Sequence, residues 1–196
     1  MREAALELCA ERGYARVTAA EVAERAGLTE RTFFRHFADK REVLFDGNEL
    51  GGLLAAAVAD APEQAAPVEA VVAGLEAVAA VFEDRREAVA RRARVVEAHP
   101  ELRERELAKL ASWSKALEGV LVGRGQPEPD AMLLAEVSVA VFRVAYRRWL
   151  DGGTERELAA IIRETLAWLG GLFAHTAPGP RDLSAARVGA ARRRDL

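Results

Sequence analysis

Apolar side chains recur along this chain at helical spacing, and the residues between the runs are of the kind that start and stop helices. Ala5, Leu8 and Cys9 share one face over residues 2–12, and Gly13 follows as a stop. Thr18 stands three residues before Glu21, the capping-box spacing that opens a helix, and Val22, Ala23 and Ala26 fall on its inner face. Gly27 can take a positive φ where that helix ends, Leu28 is expected to pack the turn, and Thr29 is the next N-cap. In the helix that Thr29 opens, Phe33 and Phe37 lie four apart on the inner side. Glu30, Arg31, Thr32, Phe34, Arg35 and His36 project elsewhere. A small residue at Ala23 lets the two helices cross closely. The stretch reads as a helix-turn-helix.

Helices continue beyond it. Asp39 with Glu42 forms a second capping box and predicts one helix running through Val43, Leu44, Leu50, Leu53, Leu54 and Val58 to Ala59, loosened at Gly47, Gly51 and Gly52. Two prolines mark 60–67 as a linker. Val68, Val71, Val72, Leu75, Val78, Val81 and Phe82 define the next helix, and another spans 84–98. Pro100 suits the first position of a long helix that GRGQPEPD closes. An apolar helix runs from Ala131 to Asp151-Gly152-Gly153, and Thr154 with Glu157 forms the capping box of a last one. Residues 177–196 lack a sustained apolar face and read as a disordered tail. Neither strand alternation nor an internal repeat is visible. The expected fold is all-α: a head at 1–46, a body at 47–176 and the tail.

Composition narrows the class. With 51% hydrophobic and 30% charged residues among 196, the chain is globular rather than disordered. Its net charge of −3 gives no hint of nucleic acid, so any basic surface must be local. The single cysteine, Cys9, excludes an internal disulfide and a cysteine-based zinc site, and reads as a small buried hydrophobe. No apolar run approaches the ~18 residues of a membrane span. The opening MREAALELCAERG is too acidic for a signal peptide, so the cytoplasm is the expected location. The three histidines, His36, His99 and His175, sit in no HExxH motif, and neither a glycine-rich phosphate loop nor GxSxG occurs. An enzyme is not expected, nor a cofactor or a metal.

Several residues carry a resemblance. They are Ala4-Ala5-Leu6-Glu7-Leu8, Glu11-Arg12-Gly13-Tyr14, Val17-Thr18, Ala23-Glu24-Arg25-Ala26-Gly27-Leu28-Thr29, Thr32 to Phe37, and Asp39-Lys40. In this order and spacing the chain resembles the TetR family of bacterial transcriptional regulators. RTFFRHF followed by VLF is similar to an actinobacterial group that includes mycofactocin-type regulators. The resemblance implies a three-helix DNA-binding head and a larger helical body that binds an effector and dimerises, about nine helices of ordinary length in all. It implies that Lys40 binds a phosphate and that Thr32, Arg35 and His36 contact phosphate or base. At Phe34 the family usually carries tyrosine, whose hydroxyl touches a phosphate. Phenylalanine keeps the apolar wedge and loses that bond.

The chemistry of the head can also be read directly. Arg31 is the best base reader, because a guanidinium can bond guanine O6 and N7 together. Glu30 can accept from cytosine N4, or simply complement the positive end of its helix. Thr18 and Thr29 cap their helices and can present amides or hydroxyls to phosphate. Each of these charges has an ordinary reading as a solvated helix face. Eight Lys/Arg stand against nine Asp/Glu in residues 1–46, so affinity needs arginines gathered on one face and two heads per site. The expected dimer interface joins Val137, Val141, Val144, Ala145 and Trp149 to Leu158, Ile162, Leu166, Leu169 and Phe173, although the same stripes suit a monomer core. A symmetric dimer calls for a pseudo-palindromic operator with half-sites about 34–36 Å apart.

For an effector pocket the large side chains are Val78, Phe82, Val96, Trp113, Leu117, Met132 and Phe142, each of which also reads as plain core. Arg91, Arg92 and Arg94 form a cationic turn, a solvated face by default or a grip for an anionic effector. The expected protein is a homodimeric, ligand-released repressor with double-stranded DNA and a small hydrophobic molecule as partners. The alternative is a helical protein-interaction module that has lost specific DNA binding.

Overall fold

The computed structural model describes residues 1–45, 49–152 and 156–174. Among them are nine α-helices and no strand: α1 (Arg2–Arg12), α2 (Ala19–Arg25), α3 (Glu30–His36), α4 (Glu49–Ala59), α5 (Pro67–Glu83), α6 (Arg86–Ala98), α7 (Pro100–Gly123), α8 (Glu128–Asp151) and α9 (Leu158–Ala174). One compact unit is Met1–Thr165. A second begins at Leu166 and is described only to Ala174.

Local chemistry explains the head. α1 stops at Gly13, whose φ of +79° a side chain would disfavour, and a 3-10 turn, Tyr14–Arg16, leads to Thr18. The Thr18 hydroxyl accepts the Glu21 amide at 3.2 Å, and the Glu21 carboxylate accepts the Thr18 amide at 2.8 Å, a complete capping box. α2 ends in a Schellman motif: Leu28 N–H donates to Ala23 O at 2.8 Å and Gly27 N–H to Glu24 O at 2.9 Å, with Gly27 at φ +69°. Leu28 closes this turn with its backbone alone. Its side chain is 42% exposed and does not pack the turn as expected. Thr29 Oγ1 then caps α3 by accepting the Thr32 amide at 3.2 Å.

The helix expected from Asp39 onward is interrupted. Asp39 accepts the Arg41 and Glu42 amides, but they start a 3-10 turn, Glu42–Leu44, that ends in extended backbone at Phe45. Val43, Leu44 and Phe45 are all buried in the head core. Three consecutive side chains cannot face one core from an α-helix, which turns about 100° per residue. The next described helix is Glu49–Ala59. Gly47 lies outside the described residues.

The head core gathers Leu6, Leu8, Cys9, Val17, Val22, Ala23, Phe33 and the 43–45 turn, and it takes in Val96 of α6 and Leu102 of α7. A second core fills the body, with Leu54 and Val58 of α4, Leu75 and Val78 of α5, Trp113 and Leu117 of α7, Phe142 and Trp149 of α8, and Leu158 and Ile162 of α9. α4 packs on α5 and α7, and α7 on α8. Arg124 donates to the carbonyls of Ala59, Ala61 and Pro62, closing the end of α4 and the loop behind it. Thr154, the expected cap of α9, lies outside the described residues. The first amides of α9, at Leu158 and Ala159, donate instead to Glu83 Oε1 at 2.6 and 3.3 Å.

Candidate nucleic-acid interface

Phe33 sets the orientation of α3. Its ring is completely buried, with Phe37 half-buried 5.2 Å away, so the inner face of this two-turn helix is fixed to the head core. Glu30, Arg31, Phe34, Arg35 and His36 are then exposed by helical geometry, and Thr32 is half-buried. Arg31, Thr32, Phe34 and Arg35 line a hollow on the outer side. Phe34 meets Phe33 edge-on at 5.4 Å and keeps 52% of its surface exposed.

Ion pairs hold α2, and with it α3, against α1. Arg25 grips Glu11 with both arms, at 3.0 and 2.9 Å, and reaches Glu7 at 3.3 Å. Arg12 pairs with the capping carboxylate of Glu21 at 2.9 Å. These bonds hold the acids below the usual carboxylate range: the Arg25 hydrogen bond does so for Glu11, and the Thr18 backbone and hydroxyl do so for Glu21. Arg25 was not legible as a clamp. Its partners are fourteen and eighteen residues away, beyond any helical spacing.

Lys40 is placed differently from a free phosphate ligand. Its ammonium donates to the carbonyls of Tyr14 and Val17 at 3.0 and 2.9 Å and stands 4.3 Å from the Tyr14 ring centre. It caps the 3-10 turn with two of the three N–H groups of its ammonium. Thr18 is similarly engaged, since its hydroxyl both accepts from the Glu21 amide and donates to the Glu21 carboxylate. Burial, with Asp39 and Glu101 nearby, pushes the Tyr14 hydroxyl up to about 12. Burial also raises the Cys9 thiol, against the pull of Lys40, as expected of an inert core cysteine.

The body residues expected to line a pocket do not all meet. Val78, Trp113, Leu117 and Phe142 share the body core, with half-buried Phe82 packed on it, 5.9 Å from Phe142. Val96 belongs to the head core, because the last turns of α6 point there. Met132 is 53% exposed: Ala131 and Ala135 face the core from the first turns of α8 and leave Met132 outside. Tyr146, absent from the expectation, joins Phe82 and Phe142 at 5.5 and 5.9 Å. The indole N–H groups of Trp113 and Trp149 are buried and meet no acceptor among the described residues.

The residues expected at the interface divide in the same way. Val141, Ala145, Trp149, Leu158 and Ile162 are buried within the chain, and Val137 is half-buried. α8 is apolar on more than one side, so periodicity could not tell which stripe serves its own core. Of the α8 residues expected there, Val144 alone is exposed. Within the second unit Leu166 and Leu169 are half-buried, whereas Trp168, Leu172 and Phe173 are exposed. Arg91 and Arg92 are no solvated face either: Arg91 pairs with Glu3 and Arg92 with Glu106.

Among the described residues no group of three His, Cys, Asp or Glu side chains is gathered to hold a metal ion, and no helix is long and apolar enough to cross a membrane.

Known proteins share both parts of this architecture. The family of bacterial regulatory proteins, tetR family, matches residues 2–46, and the MftR C-terminal domain matches residues 65–174. No curated protein matches the chain. Among solved structures, the Thermus thermophilus repressor FadR in complex with lauroyl-CoA is 21% identical, with a TM-score of 0.56 over 92% of this chain and 97% of that one. Bacillus subtilis FadR in complex with stearoyl-CoA is 20% identical, with a TM-score of 0.60 over 86% and 95%. A Rhodococcus regulator is 22% identical, with a TM-score of 0.52 over 85% and 92%. At these identities the likeness to solved structures is one of fold. The two family matches go further: the chain belongs to the tetR family of bacterial transcriptional regulators, DNA-binding proteins rather than enzymes, and carries a body of the MftR type.

Proposed function

We propose that this regulator is a repressor that binds a pseudo-palindromic operator as a homodimer and is released by a small, largely hydrophobic effector. The observation that carries the DNA part is the division of α3, which buries Phe33 and exposes Arg31, Phe34, Arg35 and His36 together. In this reading α3 lies in the major groove. Arg31 reads guanine, with Glu30 beside it able to accept from cytosine. Arg35, His36, Thr32 and the remaining N–H of Lys40 hold phosphate, and Thr18 and Thr29 set the amide ends of α2 and α3. The head spans 1–46 and the body 47–176.

A near-neutral head binds weakly alone, which supports a dimer. A second copy would cover the apolar side chains that the second unit exposes, Trp168, Leu172 and Phe173. The effector would enter among Val78, Phe82, Trp113, Leu117, Phe142 and Tyr146. The buried indole donor of Trp113, without an acceptor among the described residues, favours a molecule that carries oxygen as well as hydrocarbon, since an unmet buried donor costs about 1–3 kcal/mol. The acyl-CoA esters bound by the FadR proteins of like fold have that chemistry.

The test is an unbiased selection of DNA fragments by the purified protein, repeated with Arg31→Ala and His36→Ala. Enrichment of a two-fold-symmetric site, weakened in both variants, is the expected result. Enrichment of nothing above a salt-sensitive background would overturn the reading and favour a protein-interaction module. Lauroyl-CoA added to the operator complex is expected to release it.

A further inference from the structure

The charges of the head nearly cancel, yet they are not spread evenly over it. Glu3, Glu7 and Glu11 recur four apart along one face of α1, and each is ion-paired: Glu3 with Arg91 of α6 at 2.8 Å, Glu7 and Glu11 with Arg25 of α2 at 3.3 and 2.9 Å. Glu21 is held by Arg12, Asp39 by Arg41 and Glu42 by Arg105 of α7. Arg91 and Arg105 come from outside the head, so they neutralise head acids without occupying head cations. Among the described acids of the head, Glu24 and Glu30 have no such partner.

The cations divide as sharply. Arg12, Arg25 and Arg41 are taken by carboxylates, Lys40 by the Tyr14 and Val17 carbonyls, and Arg2 reaches the Phe45 carbonyl at 3.4 Å. Arg16, Arg31 and Arg35 are exposed and bond nothing among the described residues. Arg31 and Arg35 belong to α3. Arg16 does not: it is the last residue of the 3-10 turn Tyr14–Arg16.

That turn is held from both sides. Gly13 enters it at φ +79°, and Tyr14 is buried with its ring centre 4.3 Å from the Lys40 ammonium. The same ammonium bonds the carbonyls of Tyr14 and Val17, the residues that bracket Ala15 and Arg16, and Val17 is buried in the head core. Arg16 is thus an exposed side chain on a fixed backbone. Lys40 follows Arg35 by five residues, so the turn stands beside the segment that leaves α3.

We propose that Arg16 is a further DNA contact, its guanidinium binding a backbone phosphate that flanks the groove occupied by α3. With no partner in its own chain, Arg16 keeps its whole fork for two phosphate oxygens, which guanidinium geometry matches. The contact is to phosphate because Arg16 stands on a turn outside the helix that enters the groove. It therefore adds affinity and fixes register without reading sequence. The assignment rests on the reading of α3 as the groove helix.

Fluorescence anisotropy of the full chain on two labelled duplexes, across a salt series, is the test. One duplex is the operator fragment recovered by selection, and the other is a mixed-sequence duplex of the same length. Arg16→Ala is expected to bind both at least about threefold more weakly at about 0.1 M salt, and to lower the slope of log affinity against log salt by about one for each head bound. Arg16→Lys keeps the charge and is expected to keep the slope. Arg16→Ala should select the same fragments as wild type, and its urea midpoint should stay at the wild-type value, which separates a lost contact from a lost fold. An unchanged slope in Arg16→Ala overturns the proposal, as does a change in the fragments selected, which would make Arg16 a base reader. Wild-type protein that selects no operator would remove the reading of α3, and the mixed-sequence duplex would still decide Arg16.

Discussion

Gly74 of α5 lies directly against Val58 of α4: a Cβ built at Gly74 would stand 2.7 Å from Val58 Cγ2 and 3.0 Å from the Leu54 carbonyl oxygen. The two helices meet backbone to side chain there, at the bottom of the body core. Alanine at an ordinary helical position stabilises relative to glycine by about 1 kcal/mol. At this site overpacking dominates, so Gly74→Ala is expected to lower stability by about 1–3 kcal/mol. Urea unfolding would show it as a lower midpoint with an unchanged slope. A stabilised variant would mean that α4 and α5 can separate freely.

Glu83 supplies the cap of α9 across 75 residues of sequence, through its bonds to the Leu158 and Ala159 amides. Removing a cap acceptor costs about 0.5–2 kcal/mol. Glu83→Ala is expected to lose stability in that range, with faster amide exchange confined to the start of α9. Glu83→Gln keeps an acceptor oxygen and should lose less than half as much. Equal losses in the two variants would assign the effect to charge rather than to the cap.

These two sites also show where sequence reading stops. The head was legible because its determinants are local. The two threonine caps, the Gly27 turn and the Phe33–Phe37 pair all lie within five residues of their partners, and they suffice to place Arg31, Arg35 and His36 on the outside. The unread features depend on partners far away in the chain. Nothing at Gly74 marks it as a helix crossing rather than a weak spot in α5. Nothing at Lys40, Arg25 or Arg92 announces a carbonyl or carboxylate that the fold brings from fourteen to forty-eight residues away. Helical periodicity states that Val96 or Trp149 faces something apolar. Which core receives it is decided by how the helices assemble, so the pocket and interface sets mixed buried, exposed and head-core residues.

Acid should weaken the carboxylate hydrogen bonds that hold the head together. Hydrogen bonds from Thr18, Arg25 and Arg41 respectively hold Glu21, Glu11 and Asp39 below their ordinary values when folded. A depressed carboxylate contributes its full stability above its unfolded value and loses it as pH falls through the lowered folded value. Stability is therefore expected to be level from neutral pH down to about 5 and to fall below about 4, near the unfolded carboxylate values. Glu21→Gln should start less stable at neutral pH and fall less steeply on acidification. Urea midpoints between those pH values, followed by exchange at the Thr18 and Glu21 amides, would check both slopes. A wild-type profile no steeper than that of the variant would remove Glu21 from the account.

Phe34 offers the last and most direct test of how α3 meets DNA. Its ring already stands 52% exposed between Arg31 and Arg35, so a tyrosine there needs no repacking and adds one hydroxyl at the ring's outer edge. If that edge faces a phosphate, Phe34→Tyr gains one neutral hydrogen bond, worth about 0.5–1.5 kcal/mol or up to about tenfold in operator affinity. A hydroxyl releases no counterion, so the dependence of affinity on salt should keep its slope, whereas Arg35→Ala should lower that slope by about one. Fluorescence anisotropy with the selected operator, across a salt series, reads both quantities. Weaker binding by Phe34→Tyr with the slope unchanged would place the ring against an apolar feature of the groove, such as a thymine methyl, and would take the phosphate contact away from this position.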